Sequence, residues 1–227
     1  IAGEYMSAST IKPFSSLAAL EYDIFTSTQT TDCVGWWTGM GEGNGRWCWD
    51  HSGHGTINLR NGIVMSCDTV FYEIGKGFYY SENNSEGLQE VFRRWGFGES
   101  TGVDLPGESS GRVPDAQWKY DYFSNWDDAD RTWNPGDMCN IVIGQGDILV
   151  TPLQIACAYA GIANGGKEFV PHVFLSAVSR DGSGDAVTYE PRERLKGEFR
   201  QQSDLDLVQD GLVGVIYEES ASQASPS

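Results

Sequence analysis

The chain has 227 residues, 40% of them hydrophobic and 12% aromatic, which is enough apolar material for one substantial core and excludes a disordered chain. Its 15 basic and 32 acidic residues give a formal net charge of −17 at pH 7. So acidic a surface repels phosphate, and we therefore expect no nucleic acid as a partner. We find no uncharged apolar run near the roughly 18 residues that a membrane helix requires.

The predicted elements, in chain order, are mostly helices. Residues 11–22 have an amphipathic helical pattern with Pro13 in the first turn, where its missing N–H does little harm. Residues 58–75 have helical spacing with a break near Ser66. The remaining predictions are an irregular loop over 29–56, a helix over 86–96, a surface loop over 102–114, a helix over 152–164 capped by Thr151, a strand over 170–178, a turn at 180–182, a helix over 204–218 and a low-complexity tail over 220–227.

A serine and a lysine lie three residues apart at the start of the first predicted helix. Ser9 and Lys12 would then share one face, within reach of each other. The hydroxyl would lie at the positive end of the helix dipole, where an alkoxide forms more easily, and a neutral lysine could take the proton. The pattern is that of a nucleophile with its general base, although a capping serine beside a solvated lysine has the same spacing.

A second motif, Ser66-Cys67-Asp68, closes the apolar segment 57–65. If the chain is extended there, Ser66 and Asp68 point to one side and Cys67 to the other. A hydroxyl and a carboxylate on one side could relay a proton or hold a substrate amide. The alternative interpretation is a helix break capped by the serine and the aspartate.

Together the two motifs are far more specific than either alone, and the chain resembles the serine acyl-transferases that react with penicillin. It is most similar to class B, monofunctional penicillin-binding proteins of the elongation type (the penicillin-binding protein 2 group). The resemblance covers most of the chain, and its last supporting block is absent from β-lactamases. The glycine-rich start of that block is structural in the family. The blocks are Met6-Ser-Ala-Ser-Thr-Ile-Lys-Pro-Phe, Gly53-His-Gly-Thr-Ile-Asn-Leu, Ser66-Cys-Asp-Thr-Val-Phe-Tyr, Phe97-Gly-Glu-Ser-Thr-Gly-Val-Asp-Leu-Pro-Gly-Glu, Trp133-Asn-Pro-Gly-Asp and Gly144-Gln-Gly-Asp-Ile-Leu-Val-Thr-Pro-Leu-Gln.

The resemblance implies a peptidoglycan D,D-transpeptidase of cell-wall synthesis, acylated by a stem peptide or by a β-lactam antibiotic. Ser9 would be the acylated nucleophile, Lys12 its general base, and Ser66 the group that passes a proton to the leaving amine. Asp68 stands where the family often has asparagine, and the elongation branch is similar in tolerating aspartate. The implied fold class is α/β (α+β, helix-dominated), with the helical lobe of the penicillin-binding transpeptidase and serine β-lactamase-like fold, a few short strands and an incomplete core sheet.

The family's third motif, Lys-Thr-Gly on a strand lining the site, does not occur in the sequence. We expect residues 1–227 to be part of one transpeptidase domain that starts just before the Ser-x-x-Lys motif and ends before that strand. Loss of one oxyanion-hole donor typically costs about 100- to 1000-fold in rate, so we expect this chain to be weak or inactive alone. The alternative is a non-catalytic β-lactam sensor or a degenerate scaffold module.

The resemblance also implies a setting and partners. We expect the parent protein at the extracytoplasmic face of the bacterial cell membrane, held by an N-terminal anchor outside this sequence. Its expected partners are the stem peptide, β-lactams and a glycosyltransferase of the elongation machinery that determines cell shape.

Three cysteines and a histidine form a candidate metal site. Cys33, Cys48, His54 and Cys67 offer three thiolates and an imidazole, a set suited to tetrahedral Zn²⁺. Some elongation-type relatives are similar in having zinc behind the second motif, with carboxylates where Cys33 and Cys48 stand. Because Cys67 lies inside that motif, zinc would fix its backbone and would be structural.

Two alternatives to this ligand set remain open in the sequence. An oxidising compartment would permit a Cys33–Cys48 disulfide in place of a metal. His51 could also replace His54 as the nitrogen ligand. We expect the two remaining cysteines to stay unligated: Cys139 and Cys157.

Overall fold

A computed structural model describes residues 1–41, 43–182, 184–197 and 199–218. Within them a 3-10 turn (Ala8–Ile11) leads into the helices α1 (Lys12–Glu21), α2 (Leu59–Val64), α3 (Asp68–Tyr79), α4 (Gly87–Arg94), α5 (Ala116–Tyr122), α6 (Asp128–Arg131), α7 (Pro135–Ile141), α8 (Pro152–Ala163) and α9 (Gln202–Tyr217). The strands are β1 (Thr30–Cys33), β2 (Trp36–Trp37), β3 (Arg46–Trp47), β4 (Gly55–Asn58), β5 (Lys167–Phe169), β6 (Ser176–Ala177), β7 (Val187–Thr188) and β8 (Glu193–Lys196). Helix dominates, as the sequence predicts.

Helix α1 lies at the centre of the core. Residues 12–20 are all buried, because small and apolar side chains occupy every face of the helix. The helix packs against α3, α4 and α9. Phe14 packs its ring against Trp95 and Phe97, at centroid separations of 5.5 and 4.9 Å. The position of α1 therefore carries Lys12, its first residue, into the protein interior.

Helix α9 positions α2 through two glycines. A Cβ atom at Gly211 would lie 3.1 Å from Cβ of Ile63, and one at Gly214 would lie 2.6 Å from Cγ2 of Val64. The two helices thus approach each other more closely than larger side chains would allow. Since α2 ends just before Ser66, this packing fixes the approach to the second motif.

The region 29–56, which the sequence predicts to be irregular, contains short antiparallel pairs. Strand β1 pairs with β4, with Cys33 opposite Gly55, and β2 pairs with β3, with Trp36 opposite Trp47. Strands of two to four residues are too short to give a clear alternating pattern, so this prediction is wrong for a physical reason.

The strand predicted over 170–178 is wrong over most of its length. Within that range only β6 forms, and it pairs with β7. The longer strand β5 lies just before the predicted range and pairs with β8. The side chains of the β6–β7 pair are exposed, so no buried face imposes the alternation that the prediction relied on.

The predicted helices are confirmed with shifted ends; α3 runs past Gly75 to Tyr79. The break near Ser66, the loop over 102–114 and the turn at 180–182 are also confirmed. The sequence analysis missed α5, α6 and α7. The predicted tail at 220–227 lies outside the described residues. Among the described residues, none of the helices is long and apolar enough to cross a membrane.

Candidate active site and cysteine cluster

The Lys12 ammonium joins the two sequence motifs. Its Nζ donates to Oδ1 of Asp68 at 2.7 Å, to Oγ of Ser66 at 2.9 Å and to the Ser66 carbonyl oxygen at 2.8 Å. The side chain is only 2% exposed. A buried ammonium needs an acceptor for each of its three protons, and these contacts supply all three.

Ser9 lies in the 3-10 turn that leads into α1, and it is exposed. Its carbonyl oxygen accepts the backbone N–H of Lys12. Ser9, Lys12, Ser66 and Tyr159 line one cavity of about 220 Å³. The exposed Ser9 and the buried Lys12 therefore adjoin the same cavity.

The segment between α2 and α3 brings Ser66 and Asp68 to the lysine in an unexpected way. Ser66 has φ 50°, in the left-handed region that non-glycine residues seldom adopt. The extended conformation assumed from the sequence is therefore wrong here, yet both side chains still meet on Lys12. Asp68 is the first residue of α3, where the helix dipole favours a carboxylate.

The basicity of Lys12 reflects two opposed effects. Burial lowers the pKa of Lys12 from its ordinary value of 10.5, while the Asp68 carboxylate beside it raises that pKa. Burial is the larger effect. A lysine must be neutral to act as a base, so this site favours the useful form more than solvent does.

Sequence reasoning missed Trp49 as a neighbour of this centre. Its backbone N–H donates to Oδ2 of Asp68 at 2.9 Å, and its indole Nε1 donates to the Met65 carbonyl oxygen at 3.0 Å. No local pattern relates position 49 to positions 65 and 68, because only the tertiary fold brings them together.

Gly144, from the glycine-rich block, supports the turn that carries Ser9. Its carbonyl oxygen accepts the N–H of Ala8 at 2.8 Å. Gly144 has φ 75°, and a Cβ there would lie 2.1 Å from the Ala8 carbonyl oxygen. Only glycine fits this contact, which agrees with a structural role for the block.

The four candidate metal ligands lie together. One donor atom from each of Cys33, Cys48, His54 and Cys67 falls within 4.8 Å of the others. The His54 Nδ1 is 3.5 Å from Sγ of Cys33 and 3.6 Å from Sγ of Cys48. Zn–S bonds of about 2.3 Å at tetrahedral angles separate ligand atoms by roughly 3.5–4 Å, and the two separations between His54 Nδ1 and the sulfurs fall in that range.

Hydrogen bonds among the thiols make them chemically unequal. The Cys67 thiol donates to Cys48, which lowers the pKa of Cys48 to about 5 and, with burial, raises the pKa of Cys67. The Thr69 hydroxyl donates to Sγ of Cys33 at 3.2 Å. Thiolate character at this site suits a divalent cation.

The structure separates the alternatives to this set. All five cysteines are free thiols, so the Cys33–Cys48 disulfide is not formed. His51 lies outside the cluster, with its ring stacked on Trp47 at a centroid distance of 4.5 Å. Cys139 also lies outside the cluster, where its thiol contacts the sulfur of Met40.

The helix-dominated fold with few short strands is that of the penicillin-binding transpeptidases. Within that class, the chain belongs to the penicillin binding protein transpeptidase domain family, whose sequence pattern it matches over residues 1–226. This assignment confirms the resemblance inferred from the motifs.

Relatives and solved structures agree with the assignment. The chain is 35% identical to the peptidoglycan D,D-transpeptidase MrdA of Acinetobacter baumannii over 173 residues (76% of this chain and 24% of that protein). It is 32% identical to MrdA of Escherichia coli K12 over 213 residues (94% and 31%). Penicillin-binding protein 2 of Helicobacter pylori superposes with a TM-score of 0.79 at 30% identity, covering 96% of this chain and 37% of that one. The chain thus spans about a quarter to a third of the length of the curated relatives.

Proposed function

We propose that this chain carries the acylation centre of a peptidoglycan D,D-transpeptidase, with Ser9 as the residue acylated by stem peptides and β-lactams. The observation that carries the proposal is the contact of one buried lysine with both Ser66 and Asp68, in a cavity that it shares with Ser9. The acidic surface is compatible with this role, whereas it would disfavour a function that requires binding a phosphate group.

In the proposed first step, neutral Lys12 removes the proton from Ser9 Oγ, which attacks the carbonyl carbon between the two terminal D-residues of a stem peptide. Lys12 returns the proton through the Ser66 hydroxyl, 2.9 Å away, to the nitrogen of the departing D-residue. The C–N bond breaks and an ester remains on Ser9. An amine of a second stem peptide then attacks this ester, forming the cross-link and freeing Ser9. A β-lactam forms the same kind of ester by ring opening.

Mass spectrometry after incubation with benzylpenicillin tests the proposal. We expect one penicilloyl adduct that maps to Ser9 and is absent from Ser9→Ala. The incubation should be long, because the sequence contains no Lys-Thr-Gly segment and acylation is expected to be slow. An adduct at another residue, or no adduct in either this chain or a longer form that includes it, would overturn the proposal. Transfer of a stem-peptide acyl group to a D-amino acid separates a transpeptidase from a β-lactam sensor.

We also propose that Cys33, Cys48, His54 and Cys67 hold a structural zinc ion. The ion would cross-link β1, the turn after β3 and the segment before α3. The support is the close approach of four donors of the type zinc prefers, with a hydroxyl donating to one of the sulfurs. Metal analysis of the purified protein should give one zinc per chain. A metal-free protein two hydrogens lighter than expected would show a disulfide instead.

We propose further that the parent protein works at the extracytoplasmic face of the cell membrane beside a glycosyltransferase. Support comes from two solved relatives, a penicillin-binding protein 2 of Helicobacter pylori in complex with MreC and a chain from a peptidoglycan synthase complex that couples polymerization with crosslinking. Co-purification of the full-length protein with a membrane glycosyltransferase is the measurement. Purification without one, after crosslinking in cells, would contradict the assignment.

A further inference from the structure

Three aromatic rings in mutual contact lie on the surface near the second motif. Trp36 and Trp47 face each other across β2 and β3 with ring centroids 4.9 Å apart, and the His51 ring stacks on Trp47 at 4.5 Å. Trp36 is 43% exposed and Trp47 is 52% exposed. We refer to these three residues as the aromatic strip.

The strip is linked along the chain to the candidate active site through Trp49. Trp49 follows Trp47 by two residues, and both are exposed while Cys48 between them is buried. Trp49 is itself fixed to that site by its hydrogen bonds to Asp68 and to the Met65 carbonyl oxygen. The strip therefore lies two residues along the chain from a tryptophan that contacts Asp68, the partner of Lys12.

Folding of the β2–β3 pair does not account for the full exposed area of these rings. Trp37 already anchors the pair from below: it is buried, stacks on Tyr72 at 5.2 Å and donates from Nε1 to Glu73 at 2.6 Å. Burial of that one indole supplies the apolar contact that a two-stranded hairpin needs. The Trp36–Trp47 pair on the opposite face adds a cross-strand contact, yet about half of each side chain stays exposed, and exposed aromatic surface of this kind marks binding sites.

The loop between the strands is shaped to hold one of these rings in place. A Cβ at Gly45 would lie 2.2 Å from Cζ2 of Trp36, so the indole ring rests directly on the glycine backbone. A ring held in this way loses little conformational entropy when a ligand stacks on its other side.

The chemistry of the strip favours an uncharged ligand. Arg46, the nearest cation on β3, is engaged with the Asn140 side chain and the Gly136 carbonyl oxygen. The exposed Asp50 faces Ser52. With a net charge of −17 on the chain, an anionic polymer is disfavoured. Sugar rings present apolar C–H faces that stack on the apolar faces of indoles.

We propose that the aromatic strip binds the glycan backbone of peptidoglycan, a β-1,4-linked chain of N-acetylated amino sugars. The inference rests on the proposed function, since the stem peptides that would reach Ser9 are attached to that backbone. Stacking of the sugars on Trp36 and Trp47 holds the strand beside the site.

The test uses chitohexaose, a peptide-free oligomer of β-1,4-linked N-acetylglucosamine. It is titrated into protein labelled with ¹⁵N at the tryptophan indoles. We expect the Nε1–H resonances of Trp36 and Trp47 to shift and that of the distant, exposed Trp126 to stay. Trp36→Leu and Trp47→Leu keep an apolar side chain without the flat ring, and each should weaken binding by about tenfold. Trp126→Leu is the matched control and should bind like the parent.

Loss of binding counts only for variants whose other indole resonances show an intact fold. Gly45→Ala, which displaces the Trp36 ring and keeps every aromatic residue, is the second variant and should also weaken binding. If chitohexaose shifts no indole resonance, or if the leucine variants bind it as tightly as the parent, the proposal is overturned. A protein partner would then be the alternative ligand of the strip. Because benzylpenicillin carries no glycan, acylation of Ser9 in the parent chain is scored separately, so failure of the strip and failure of the proposed function are distinguishable.

Discussion

The two sides of the segment 65–67 are held in different ways. On one side, Lys12 has its three protons matched by acceptors from Ser66 and Asp68. On the other side, Cys67 meets two thiols and the ring of His54, whose Nε2 is buried without a hydrogen-bond partner among the described residues. The charge on the lysine side is balanced by protein atoms alone. On the thiol side, the negative charge of the thiolates can be neutralised only by protons or by a cation.

The residues around Lys12 and the cysteine cluster are therefore suited to different tasks. A base must gain and lose a proton, and the opposed effects of burial and Asp68 on the pKa of Lys12 keep that equilibrium adjustable. A structural cross-link must not change, and thiolates around a cation give fixed geometry. Residues 66–68 couple the two, since Ser66 and Asp68, which contact Lys12, flank Cys67 in the chain.

Replacing Lys12 should give the largest effect. Lys12→Met removes the base and the proton relay, so we expect acylation by benzylpenicillin to fall by about 10²- to 10⁴-fold. The rate is measured by mass spectrometry at a temperature where the variant is folded. Lys119→Met is a matched control, because Lys119 is another buried lysine paired with an aspartate, Asp137, outside the site. Equal rates for the Lys12 variant and the parent would contradict the assigned role.

Removing one cysteine of the cluster should lower zinc affinity and the Tm, with a smaller effect on the function of Lys12 as a base. Cys48→Ser removes one thiolate, and we expect zinc affinity to fall by at least about tenfold, since even outer-shell changes cost 10- to 100-fold. The affinity is measured by competition with a chromogenic chelator, and Tm by calorimetry. Cys157→Ser, at a buried cysteine outside the cluster, should bind zinc like the parent. Undiminished zinc affinity in Cys48→Ser would remove this residue from the ligand set.

The charge of Asp68 should set the pH range of acylation. Burial lowers the pKa of Lys12 and Asp68 is the main group that raises it, so Asp68→Asn shifts the balance towards the lowering effect of burial. The neutral lysine then forms at lower pH, and the pH of half-maximal acylation should fall. A pH–rate profile with benzylpenicillin measures this. Asp137→Asn, which removes the partner of Lys119, should leave the midpoint unchanged; an unchanged or higher midpoint in Asp68→Asn would refute the coupling.

The sequence was sufficient to find the residues on both sides of the segment, because each is a compact set of chemically distinctive side chains. Ser9 and Lys12 are one helical turn apart, and the candidate metal ligands are three cysteines and a histidine in a short region. The conformation that unites them was not predictable. The left-handed turn at Ser66 is the C-terminal cap of α2, in which the Ser66 and Cys67 N–H groups donate to the carbonyl oxygens of Ile63 and Gly62. Glycine usually occupies that position, so a serine there gave no signal of the turn, and the extended geometry considered from the sequence is wrong.

Contacts made across long stretches of sequence were also beyond prediction. Trp49 contacts Asp68, and Gly144 contacts Ala8, without any pattern that relates these positions. The helices α5, α6 and α7 are too short for hydrophobic periodicity to reveal them, although Asn134 forms a capping box at the start of α7. Long helices with caps, such as α8, were predictable because their signals are local.

The smallest expected effect concerns the support that both sides share. Asn58 caps α2, and its side chain accepts the N–H of Asn61 at 2.9 Å. Asn58→Ala should lower the free energy of unfolding by about 1 kcal/mol, whereas Asn58→Asp keeps a capping acceptor and should restore most of the loss. Denaturant titration measures both. Because α2 leads into the whole segment 65–67, the alanine variant should retain the acylation rate and the zinc affinity of the parent together. A selective loss of either would mean that the capped end of α2 holds only that side of the segment.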